Sequence, residues 1–71
     1  MILIALLKRL KPTLNERIAT FLRSANNLTD AMDLLRIIGI RQKINMLHRL
    51  QDEGLIRFDF NDDSITVLVR D

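Results

Sequence analysis

Apolar and polar positions along this chain follow two periods, and the change from one to the other falls at Gly54. Before it, Ile40, Ile44, Leu47 and Leu50 recur at steps of four, three and three. That spacing lines one side of a 3.6-residue spiral, so it predicts a helix over Arg41–Glu53 whose aliphatic side faces a core. The residues between them are Arg41, Gln42, Lys43, Asn45, Met46, His48, Arg49, Gln51, Asp52 and Glu53. Nearly all of these prefer water or a polar partner, and they form the outer side. Gly54 suits a left-handed helix cap, where a side chain would clash, and lets Leu55 fold back onto Leu50.

After Gly54 the period is two. Ile56, Phe58 and Phe60 point one way and Arg57 and Asp59 the other; Ile65, Val67 and Val69 repeat the pattern beyond Asn61-Asp62-Asp63-Ser64. A hairpin is expected. With Asp62 and Asp63 at the turn centre, Phe60 faces Ile65, Phe58 faces Val67 and Ile56 faces Val69, which puts both apolar rows on one side. A two-stranded ribbon is marginal alone in water, so that side must lie on the helices.

Two earlier helices are readable. Thr13 and Glu16 have the spacing of a capping box, with Pro12 blocking continuation from upstream. Leu14, Ile18, Phe21, Leu22 and Ala25 then form a core-facing stripe that ends at Asn26-Asn27. Thr29 is the expected N-cap of the next helix, Asp30 favours the positive end of its dipole, and Met32, Leu35 and Ile38 supply its buried row before Gly39. Ahead of all this, Met1–Leu7 is apolar on more than one side. A signal peptide carries its positive charge before the apolar run, whereas Lys8, Arg9 and Lys11 come after it, and a membrane span needs about 20 apolar residues. Residues 1–11 are therefore expected to form a short element, either packed within the domain or joining two copies.

Composition narrows the options. A chain of 71 residues is one domain, of mainly α, α+β class, and a domain this small buries only about 60% of its unfolded surface. With no cysteine, disulfides, thiolate metal sites and thiol nucleophiles are all excluded, and a reducing, cytoplasmic compartment fits. The single histidine, His48, cannot build a metal cluster, and Ser24 and Ser64 lack any motif around them, so no enzyme is expected. The net charge of +2 is unevenly spread: Lys8, Arg9, Lys11, Arg17 and Arg23 stand against Glu16 before residue 29, whereas Asp52, Glu53, Asp59, Asp62, Asp63 and Asp71 stand against Arg57 and Arg70 after residue 50. A polyanion is drawn to the helical part and repelled by the hairpin.

The order of apolar segment, three helices and ribbon, carried most specifically by Leu47-x-x-Leu50-x-x-x-Gly54-Leu55-Ile56, resembles the winged helix-turn-helix family over about residues 13–70. The resemblance implies a three-helix core with a C-terminal two-stranded ribbon. It implies that the helix matching Arg41–Glu53 lies in the DNA major groove, that the helix matching Thr29–Ile38 supports it, and that the ribbon touches flanking backbone. The function it implies is sequence-specific binding of double-stranded DNA, as a small transcriptional regulator; a homodimer is expected, and the apolar N-terminal segment is the candidate for its joint. The turn between Gly39 and Ile44 is a residue or two shorter than usual, leaving open whether Arg41 or Lys43 leads the base contacts.

On this reading Thr29, Arg41, Gln42, Lys43, Asn45, Arg49 and Arg57 are the DNA-binding residues. Arginine suits guanine, and asparagine or glutamine suits adenine. Met46, on the expected outer side, could meet a thymine methyl or a protein, or simply pack at an edge. His48 is expected to be a packed or surface side chain rather than a switch. The wing carries Asp59, Asp62 and Asp63 near its tip, and carboxylates within a Debye length of about 8 Å from phosphates weaken binding. It is not expected to enter a groove, which leaves Arg57 as its phosphate contact. A metal site at the three aspartates is weighed against ordinary turn chemistry. No cofactor, small-molecule ligand or membrane contact is expected. The rival reading is a winged-helix interaction module of a larger complex, docking by its acidic wing and apolar N-terminus; an RNA-binding winged helix is not separable from the DNA reading by sequence.

Overall fold

A computed structural model of the chain describes residues 11–69. It contains α1 (Leu14–Phe21), a 3-10 turn (Leu22–Ser24), α2 (Leu28–Ile37), α3 (Lys43–Asp52), β1 (Ile56–Asp59) and β2 (Ser64–Val67). Three helices followed by a two-stranded antiparallel sheet make an α+β, mainly helical chain in the winged-helix layout. The expected N-terminal element, residues 1–11, lies outside the described residues except for Lys11.

The helix ends follow from local chemistry. Thr13 caps α1 by accepting from the Glu16 amide at 3.1 Å while the Glu16 carboxylate accepts from the Thr13 amide at 2.7 Å, the reciprocal box its spacing predicts. Gly39, at φ +89°, and Gly54, at φ +76°, stop α2 and α3 in the left-handed conformation that a Cβ disfavours. Each stop is a Schellman motif. The Ile40 amide reaches the Leu35 carbonyl and the Gly39 amide that of Arg36; Leu55 reaches Leu50 and Gly54 reaches Gln51 in the same way.

The core is one aliphatic cluster of Ile18, Ala19, Leu22, Leu28, Ala31, Leu35, Leu47, Leu50 and Ile56, drawn from all three helices, the 3-10 turn and β1. Six of its members are large and fully buried. Each stabilises the fold by about 1.5–3 kcal/mol relative to exposure. Ile40, Met46, Phe58, Ile65 and Val67 pack partly buried against it, so the apolar side of the ribbon does lie on the helices. The two elements are also tied by the Phe58 amide, which donates to Oε1 of Gln51 at 3.0 Å, and by the Leu68 amide, which donates to the Leu55 carbonyl at 2.8 Å.

Several expectations are corrected. The hairpin pairs Ile56 with Val67 and Phe58 with Ile65, two residues out of the expected register. A shift of two keeps every side chain on its face, so the apolar side is unchanged, but Phe60 leaves the ladder for the turn and stands exposed. The N-cap of α2 is Asn27, not Thr29: Asn27 is extended at φ −157° and its Oδ1 accepts from the Asp30 amide at 2.8 Å. That start buries Leu28 and Ala31 beside Leu35, and it leaves Ile38 outside. In α1, Ile18 and Leu22 are buried, but Leu14 and Phe21 are exposed. Finally, α3 begins at Lys43 rather than Arg41, so Ile40 lies ahead of the helix and its position sets no helical phase. Leu47 and Leu50 define the inward direction, which swings Met46 partly into the core and Ile44 out to 49% exposure.

Candidate nucleic-acid interface

Side chains of α3 divide around the axis set by Leu47 and Leu50. At about 100° per residue, Lys43 falls between the two buried leucines with Met46 beside them, Ile44 lies at the opposite flank, and Asn45, His48, Arg49 and Asp52 fall on the outer side. Asn45 and Arg49 are four apart, hence one above the other on that side. Both are exposed, as are Arg41 and Gln42 in the turn just before the helix. Lys43 is half-buried at an inward phase and does not share their face.

Hydrogen bonding separates these residues further. Nδ2 of Asn45 donates to Oε1 of Gln42 at 2.7 Å, so the two amides hold each other across the helix start. Among the described residues, Arg41, Lys43, Arg49 and Arg57 have no hydrogen-bonded or ion-paired partner. Arg36, by contrast, pairs with Asp33 at 3.9 Å, and Arg23 donates to the Val69 carbonyl. The start of α3 is also unlike those of α1 and α2. No side chain caps it, and its first turn holds no acid. Free amides at a helix start, the positive dipole end and two nearby cations together favour an anion there.

Thr29 and Arg57 lie elsewhere. Thr29 is in the first turn of α2, at the far end of a ten-residue helix from Arg41, roughly 15 Å away along the axis. Both its amide and its hydroxyl donate to Oδ1 of Asp63 at 2.9 Å, and the Leu28 amide donates to the Asp63 carbonyl at 3.0 Å. Asp63 takes the left-handed φ of +50° to do this, a conformation that aspartate tolerates better than most residues. Sequence reasoning missed this clamp. Thr29 therefore serves the docking of the wing tip. Arg57 is on the solvent side of β1, opposite Thr66 and alternate to Phe58, whose ring meets that of His48 edge-to-face at 5.1 Å. The alternation turns Arg57 away from the side of the ribbon that meets α3.

The acidic tip is likewise spoken for in part. Oδ1 of Asp59 accepts from the Asn61 amide at 2.8 Å and Asp63 is engaged with α2, leaving Asp62 exposed. Among the described residues no group of His, Asp or Glu gathers to hold a metal ion, and no helix is long and apolar enough to cross a membrane. The geometry thus places Asn45, His48 and Arg49 on the outer side of α3, with Arg41 and Gln42 in the turn just before it and Ile44 at one flank, and separates them from Lys43, Thr29 and Arg57. Comparison with protein-family models, curated proteins and solved structures gives no match.

Proposed function

We propose that this protein binds double-stranded DNA sequence-specifically, as a small regulator of transcription, through the start and outer side of α3. The observation carrying this reading is the unpartnered state of Arg41 and Arg49 beside the paired amides of Gln42 and Asn45, at a helix start without a cap. Those groups match phosphate oxygens and purine edges in the groove. The helix pair of α2 and α3, joined through Gly39, is seated on the core by Leu28, Ala31 and Leu35 of α2 and by Leu47 and Leu50 of α3, and the opposite side of α3 keeps Asn45 and Arg49 exposed. Asp52, at the far end of the outer side, favours seating the start of the helix, rather than its end, against the polyanion.

A second reading, docking onto a protein partner, is favoured by Ile37, Ile38 and Ile44, which are exposed around the α2–α3 junction. Fluorescence anisotropy on a labelled random duplex, at about 50 and 200 mM salt, separates the two. A DNA binder has weak affinity off target that falls steeply with salt. The DNA reading predicts that fall. Absence of binding at the lower salt concentration would favour the protein partner.

A further inference from the structure

Ile44 stands at the His48 flank of the proposed contact surface and is not among the side chains packed against the core. It is 49% exposed, in the first turn of α3, between Lys43 and Asn45, and one turn before His48. The inward side of α3 is filled by Leu47 and Leu50, with Met46 beside them. An aliphatic side chain offers no donor or acceptor to a phosphate or a purine edge. In the major groove the apolar feature on the base edges is the C5-methyl group of thymine.

Resting on the DNA reading of α3, we propose that Ile44 specifies thymine at one position of the target by packing against this methyl group. Asn45, Arg41 and Arg49 supply the polar contacts around it. The branched side chain then leaves water on binding together with the methyl, and removal of one methyl from such a contact weakens binding about fourfold. Met46, expected from sequence to be an outer-side contact, is withdrawn against the core and does not compete for this role.

The test begins with duplexes selected from a random pool by the full chain. Each thymine of the tightest duplex is replaced singly by 2′-deoxyuridine, which lacks only the methyl, and affinity is measured for the wild type, Ile44→Ala, Ile44→Val and Ile37→Ala. Ile37 is the control because it is 67% exposed but lies on α2. At one position, or a symmetry-related pair, uracil is expected to weaken the wild type and Ile37→Ala about fourfold. Ile44→Ala should bind the thymine duplex more weakly and ignore the replacement, with Ile44→Val between. Equal sensitivity of Ile44→Ala and wild type, or selected duplexes sharing no thymine, would overturn the proposal while leaving DNA binding intact. Failure to bind any duplex would instead remove the reading of α3 itself, and this proposal with it.

Discussion

The hairpin turn and the start of α3 are both short polar stretches at the ends of regular elements, yet they use their side chains in opposite ways. In the turn, Asp63 is given over to the Thr29 amide and hydroxyl, and Asp59 to the Asn61 amide. At the start of α3, Gln42 and Asn45 bond only each other, no side chain caps the helix, and Arg41 and Arg49 have no partner among the described residues. The wing is thus a brace. It supplies an acceptor to the first turn of α2, whereas the start of α3 keeps its cations unpartnered among the described residues. Residue type alone does not make this distinction, since carboxylates and guanidiniums are both ordinary on a solvated surface; it depends on which groups are already satisfied.

The comparison sharpens first within α3. Leu47→Ala should destabilise the fold by about 2–5 kcal/mol in thermal or urea unfolding, because it empties a fully buried site, whereas Ile44→Ala should stay within about 0.5 kcal/mol. Equal losses at both positions would mean that Ile44 is part of the core. The next largest effect belongs to the brace. Asp63→Ala removes the acceptor for the first turn of α2 and should lower stability by about 1 kcal/mol, the usual worth of such a cap, while Asp62→Ala on the same turn should be nearly silent. If the two aspartates proved interchangeable, the wing would not be holding α2.

Much of the fold was legible because its punctuation is local. The Thr13–Glu16 box and the glycine stops at Gly39 and Gly54 act over a few residues, and the sequence carries all their parts. The hairpin was legible as an element and in which side is apolar, since a register slip of two preserves alternation. Its register was not, because the connection Phe60–Asp63 is set by a contact with Thr29 distant in sequence. The same contact explains why Asn27 rather than Thr29 caps α2: with the wing tip engaging Thr29, the helix starts one residue earlier than it, at Leu28, which is buried. For the candidate site, Arg41, Gln42, Asn45 and Arg49 were identifiable by type, but the phase of α3 was drawn through Ile40, which lies outside the helix. That displaced Ile44 inward and Lys43 outward from their places.

Salt dependence tests the central claim most directly, because it counts the phosphates that the protein neutralises. The slope of log affinity against log salt on a fixed duplex should fall by about 0.9 for Arg41→Ala and again for Arg49→Ala, with unfolding midpoints unchanged, while Arg57→Ala keeps the wild-type slope. Wild-type slopes in the α3 variants, or a loss confined to Arg57→Ala, would contradict the assignment of the polyanion surface to α3.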